Sequence, residues 1–280
     1  MTDAAWVALS LVDRVGGKTL RALMQHFNHN PQAILNADVD ALRQVPGIGP
    51  KIAHNIRAVN ISVVEQAIPR WVEAGIQLIT FNDAAYPPRL RQLDDAPPTL
   101  FVRGAWQPRL DKSIAIVGRR KPSPSAYQIA QNLGSELAQK GYTIISGLAY
   151  GIDYAAHQGA LAIDGGTIAV LGSGVLNIYP ADHASLAQAM LRRGAIVSEV
   201  QPNAQPNSAN LVARNRIITG LSDAVVIVET DIDGGAMYAA RFALAQGRTV
   251  YAVDNGAGGN RELLAKGAVP IRPDLRDLPF

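Results

Sequence analysis

The 280-residue chain has no cysteine, which excludes disulfides and thiolate metal sites. No stretch approaches the roughly 18 uninterrupted apolar residues that suggest a membrane span. The opening residues Met1-Thr2-Asp3-Ala4-Ala5-Trp6 lack a basic segment leading into an apolar one. Neither a secretory leader nor a membrane partner is therefore expected, and a cytoplasmic location is the simplest reading. The five histidines lack His-Glu-x-x-His or comparable spacing, so no metal or other cofactor is expected. Nucleotide fingerprints are missing as well. Gly147 and Gly151 are spaced G-x-x-x-G, Gly172-Ser173-Gly174 is followed by Asn177 where a third glycine belongs, and no G-x-x-x-x-G-K-[ST] occurs. Dinucleotide and P-loop sites are thus not supported. Lysine is scarce, with six of 26 cationic residues, and the net charge is only +3. The arginine excess suits phosphate recognition, although a GC-rich genome gives the same bias, so placement matters more than number.

What is present is 48% hydrophobic and 18% charged, the composition of a soluble chain with one large and one small domain. Residues 1 to 62 place Trp6, Leu9, Leu20, Leu23 and Phe27 at helical spacing, broken by Gly16-Gly17 and by Asn28 to Pro31. A small all-helical domain is predicted there. Residues 63–280 form the second predicted domain, beginning with a helix over Val63 to Glu73 and a strand over Ile76 to Thr80. Short apolar runs then follow at Ile114 to Val117, Tyr142 to Ile145, Thr167 to Leu171, Ala195 to Val197, Ala224 to Val228 and Thr249 to Val253. Such runs alternating with helical stretches predict a doubly wound, mainly parallel α/β sheet, with ligands at the carboxyl ends of its strands.

Three strand ends carry chemistry. Gly118-Arg119-Arg120-Lys121 precedes a helix expected near Ser125, where free amides and cations favour an anion over a merely solvated basic turn. Ser146-Gly147 opens a glycine-containing loop running to Asp153 and His157, four residues apart and within pairing reach on a helix. That pair reads as a structural contact in preference to a catalytic dyad, because spacing supplies no nucleophile. Arg214-Asn215-Arg216 sits at a helix start, where two guanidinium groups and an amide suit phosphate and base, or else salt-bridge along a helix surface. In the helical domain, Val45-Pro46-Gly47-Ile48-Gly49-Pro50-Lys51 has a helix-hairpin-helix pattern. Its amides and Lys51 suit a DNA phosphate; the alternative is a compact connector.

Together, Ile114-Ala115-Ile116-Val117-Gly118-x-Arg120, Ser146-Gly147-Leu148-Ala149-x-Gly151-Ile152-Asp153-x-x-Ala156-His157, Tyr179-Pro180, Ser198-Glu199 and Arg214-Asn215-Arg216-Ile217-Ile218-x-Gly220-Leu221-Ser222 resemble the DprA/Smf family of bacterial DNA-processing proteins. The resemblance implies a Rossmann-like domain after a sterile-alpha-motif-like helical one, and a homodimer. It also implies a basic pocket for single-stranded DNA, protection of incoming strands in natural transformation, and loading of the RecA recombinase. The pocket would use Gly118, Arg120, Ser146, Gly147, Arg214 and Asn215. Departures from the pattern include Arg119 in place of a hydroxyl residue, which adds charge, and Leu211-Val212 in place of an aromatic-proline pair that could stack on a base. The winged-helix domain at the C-terminus of many members is expected to be absent. The rival expectation is a Rossmann-like hydrolase of nucleoside monophosphates, with Glu229 as acid beside Gly234-Gly235.

Overall fold

A computed structural model describes residues 3–106, 110–276 and 278–280. By its contacts the chain divides into two compact units, one from the N-terminus to Phe101 with Glu199–Gln201, the other Val102–Ser198 with Pro202–Phe280.

The first unit contains helices α1 (Ala4–Ser10), α2 (Gly17–His26), α3 (Pro31–Asn36), α4 (Val39–Arg43), α5 (Pro50–Arg57) and α6 (Ile61–Glu73), then strand β1 (Ile76–Thr80), the short helix α7 (Pro88–Arg91) and the start of β2 (Thr99–Gly104). Side-chain oxygens of Asp3, Asn30, Asp38 and Asn60 cap four of these helices, satisfying amides that helix starts leave free. Leu9, Leu20, Leu23, Ile34, Leu42 and Ile56 are fully buried in its core. The domain boundary expected at residue 62 falls inside this unit. Helix α6 packs on α1, and Trp6 Nε1 donates to Pro98 O at 3.0 Å. These contacts tie residues 63–101 to the helices before them.

The second unit is an α/β domain. Its strands are β3 (Ser113–Val117), β4 (Thr143–Ser146), β5 (Thr167–Val170), β6 (Ala195–Ser198), β7 (Ala224–Ile227), β8 (Thr249–Val253) and β9 (Val269–Ile271). They lie in the order β6-β5-β4-β3-β7-β8-β9, each neighbouring pair parallel. Between them run α8 (Pro124–Gln139), α9 (Ile152–Ala162), α10 (Ala184–Met190), α11 (Ser208–Ala213), α12 (Asn215–Gly220), α13 (Ala236–Ala245) and α14 (Gly258–Ala265). Strands β3 to β7 are buried along their whole length, as expected of a sheet covered on both faces. Gly134 of α8 and Gly159 of α9 face Ala156 O and Gln131 O so closely that neither site accommodates a Cβ without displacing backbone. The two helices consequently pack tightly on one face of the sheet.

Candidate nucleic-acid interface

Strand order in the sheet runs β3, β4, β5, β6 to one side and resumes at β7 on the other. The switch point thus lies between β3 and β7, where an open parallel sheet forms a crevice beyond its carboxyl ends. A cleft of about 570 Å³ occupies this place, lined among others by Gly118, Arg119 and Arg120 after β3, by Asp153, and by Arg214 and Asn215. Gly118 is obligatory for packing, since a Cβ there would lie 2.6 Å from Ile152 Cγ1 and 2.9 Å from Glu229 O.

Arg214 is the central side chain. It joins α11 to α12 and is only 6% exposed. Its Nη1 donates to Val170 O at 3.1 Å, while Nε has no hydrogen-bond partner among the described residues. Burial disfavours the cation and Asp153 restores part of the loss. Arg120 repels it, and the guanidinium pKa falls to about 10, leaving it charged at neutral pH. Asp153 accepts from Gly147 N at 3.1 Å and Ala149 N at 3.4 Å. Burial nonetheless raises its pKa above the usual carboxylate value, against the opposing pull of Arg214 and the two amides. Gly147 makes room for this pair, because its Cβ would stand 2.7 Å from Arg214 Nη2 and 2.9 Å from Asp153 Oδ2. Leu148, next in the loop, is buried at φ +60°, a conformation costing an L-residue about 1–2 kcal/mol. Its carbonyl accepts from His183 Nδ1 at 2.8 Å, which fixes the loop.

Several sequence expectations are redirected. Arg119 does not add free charge to the cleft. Its Nε donates to Asp231 Oδ2 at 2.8 Å, its Nη2 meets Asp231 Oδ1, and its Nη1 lies 3.7 Å from Glu229 Oε1. Glu229, 7% exposed, also accepts from Ser123 N at 2.7 Å. Ser123 Oγ caps Ala126 N at 3.2 Å, so the helix start expected to hold an anion is already supplied with acceptors. Glu229 is committed to these contacts and is not poised as an acid, although Gly234 and Gly235 do line the cleft. Ser146 Oγ donates to Ile116 O at 2.6 Å and is buried in the sheet. Lys121 lines an adjoining recess, whereas Arg216 is not among the cleft-lining residues. Arg120 stays exposed, and among the described residues no acidic group pairs with it.

The Asp153–His157 contact does not form. His157 Nδ1 meets Thr167 Oγ1 at 2.7 Å, and that hydroxyl donates to Ile144 O at 2.9 Å. Thr167 must therefore accept from the ring, which fixes the Nδ1–H tautomer. The bare Nε2 is buried without a partner among the described residues. Burial, with His183 and Arg214 adding repulsion, lowers the pKa to about 3. Sequence reasoning missed two aromatic members of the cleft, Tyr179 and Tyr238, 40% and 42% exposed. Arg241 stands 5.6 Å from the centre of the Tyr238 ring. Tyr179 lies in the connection after β5 and Tyr238 in the first turn of α13, so a search for tyrosines near strand ends, not only for basic runs, would have found them.

In the first unit, Gly47 adopts φ +87° between α4 and α5, and Ile48 is buried. Gly49 starts α5 with no side-chain cap, and Lys51 is exposed beside it. The hairpin thus presents amides and a cation to solvent.

Fold and cleft together define a doubly wound α/β protein with two guanidinium groups at a sheet switch point, Arg214 buried beside Asp153 and Arg120 exposed. The chain belongs to the DNA recombination-mediator protein A family, which it matches over residues 77–276. Residues 8–58 match the SAM-like helix-hairpin-helix tandem. The protein Smf of Synechocystis sp. is 35% identical over 259 residues, 90% of this chain and 65% of the relative. Smf of Escherichia coli is 40% identical over 208 residues, 72% of this chain and 56% of the relative, so the chain spans under two thirds of both. DNA processing protein A of Streptococcus pneumoniae superposes with TM-score 0.82 at 26% identity, covering 97% of this chain and 95% of that one. A Helicobacter pylori structure, described for the single-stranded DNA binding mode of its DNA processing protein A, superposes with TM-score 0.63 at 32% identity, over 69% and 90% of the two chains. Among the described residues no helix is long and apolar enough to cross a membrane.

Proposed function

We propose that this chain binds single-stranded DNA in the strand-end cleft, holding sugar-phosphate through Arg120 and Arg214 and leaving the bases largely unread. The observation that carries this reading is the convergence of two like charges, Arg214 buried and Arg120 exposed, with no acceptor for the Arg214 Nε–H and no acidic partner for Arg120 among the described residues. A phosphate between them relieves their repulsion and supplies the missing acceptor. Asn215 lines the same cleft, and Lys121 lies at its margin. The helix-hairpin-helix segment, with Gly47, Gly49 and Lys51, serves as a second phosphate contact.

Within this reading the chain works in the cytoplasm as a homodimer. It protects incoming or recombination-intermediate strands and helps load RecA in natural transformation or a related recombination task, without chemistry on the DNA. Membership in a recombination-mediator family supports this role, as do relatives named for DNA processing. The test is titration of a labelled thymidine oligonucleotide, read by fluorescence anisotropy, with Arg120→Ala and Arg214→Ala. Both substitutions are expected to weaken binding, and unchanged affinity in both would overturn the pocket assignment.

A further inference from the structure

Beside the cleft lies a second recess of about 630 Å³ whose walls are Pro122, Pro124, Tyr127 and Tyr150, with Arg120 and Lys121 at its edge. A smaller hollow walled by Arg120, Tyr150, Tyr179 and Arg214 adjoins both. Arg120 therefore borders all three spaces, and Tyr150 borders the recess and the hollow.

We propose that the recess is a stacking subsite for a nucleobase of the strand that leaves the Arg214 cleft, with Arg120 and Lys121 holding the phosphates on either side of it. The inference rests on the single-stranded DNA reading of the cleft and adds a direction to it, past Tyr179 and Tyr150 toward the start of α8. Two proline rings and two tyrosine rings form an apolar surface that a planar base fills, and cations at its edge match the backbone charge. Both tyrosines are held in place before anything binds. The Tyr127 hydroxyl donates to Gln158 Oε1 at 2.7 Å. The Tyr150 hydroxyl donates to Asp182 Oδ2 at 2.7 Å, and its ring meets His183 edge-on at 4.7 Å. Yet Tyr150 remains 44% exposed, so part of a large aromatic surface is kept in solvent in a fixed pose. Ordering a side chain beforehand lowers the entropic cost of association, and stacking on an aromatic ring accepts any base.

The experiment compares a thymidine oligonucleotide with an abasic sugar-phosphate chain of equal length, by anisotropy titration of wild type, Tyr150→Ala, Tyr150→Trp and Arg214→Ala. A stacking subsite predicts that Tyr150→Ala weakens the thymidine oligonucleotide by roughly tenfold and leaves the abasic chain unchanged. Tyr150→Trp, which keeps an aromatic face, restores the preference for bases. Equal weakening on both chains, or no change on either, overturns the subsite while the cleft reading stands on the Arg214→Ala result. Wild type that binds neither chain overturns both.

Discussion

The two regions proposed to face phosphate are built on opposite principles. At the hairpin, Gly47 to Lys51 expose backbone amides and one lysine to water, so the site is solvated before and after binding. In the strand-end cleft, Arg214 is almost fully buried beside Asp153, with Arg120 across from it. A desolvated charge costs stability in the free protein, and the phosphate that arrives recovers some of that cost as affinity. The difference teaches where substitutions act. Cleft substitutions should move both stability and binding, whereas hairpin substitutions should move only a screened electrostatic increment.

The largest contrast is expected in acid. His157 holds its ring neutral inside the cleft-bearing unit, with a pKa near 3 against 6.5 for the free side chain. The unfolded chain takes up a proton below pH 6.5 while the folded one does not. Stability is therefore intact above pH 6.5 and is lost as pH falls toward 3, by an amount of the order of 4 kcal/mol at full extent. His26, His29 and His54 of the helical unit are all exposed. Hydrogen-exchange protection factors in β4 and β5 should drop from pH 7 to pH 5 more than those in α1 to α5, and His157→Gln should flatten the difference. Equal loss in both units would remove this part of the comparison.

Next in size is Arg214→Ala. A charge-assisted contact of about 1.5–3 kcal/mol is lost, so single-stranded DNA affinity should fall roughly tenfold or more. Asp153 is left buried without its cation, so the thermal midpoint should fall as well. Affinity lost with no change in thermal midpoint would show that Asp153 does not depend on the Arg214 charge in the free protein. Adjacent Arg119 and Arg120 then divide in a way their sequence positions do not suggest. Arg120→Ala should weaken binding, and Arg119→Ala should weaken it less, since Asp231 and Glu229 already match the Arg119 charge. Equal effects in the same titration would show that the Arg119 pairs open when DNA binds.

That division marks how far the sequence could be read. The six strands from β3 to β8 were legible because a strand buried on both faces is an uninterrupted apolar run, as at Ile114 to Val117. Strand β9 was not, because Pro270 interrupts it with a residue that cannot donate to the ladder and suits only an edge. Position at a strand end was legible for Gly118, Arg119 and Arg120, and position at a helix start for Arg214. The partner of Arg119 was not, because Asp231 lies 112 residues away and no local pattern announces it. Helical spacing put His157 near Asp153, but spacing fixes a face and not a partner, and the ring turned to Thr167 on β5. Gly147, expected in the pocket, leaves space for the Arg214 side chain and the Asp153 carboxylate, a requirement that no local pattern shows.

The smallest expected effect is at the hairpin. Lys51→Ala removes one exposed cation, while the Gly49 amide stays where the buried Ile48 side chain and the Gly47 turn hold it. Counterion release sets the size of the change. The slope of log affinity against log salt, near −2 if about three phosphates are neutralised, should become shallower by about 0.7. Thermal stability should not move, because surface substitutions of this kind stay within about 0.5 kcal/mol. A salt titration on Lys51→Ala beside Arg214→Ala reads the comparison directly. Each variant should lose a similar increment of slope, but affinity at high salt should fall only for Arg214→Ala, whose burial shields its contact from screening. If Lys51→Ala loses affinity at high salt too, the hairpin holds its phosphate by more than exposed charge, and the two regions are more alike than their burial implies.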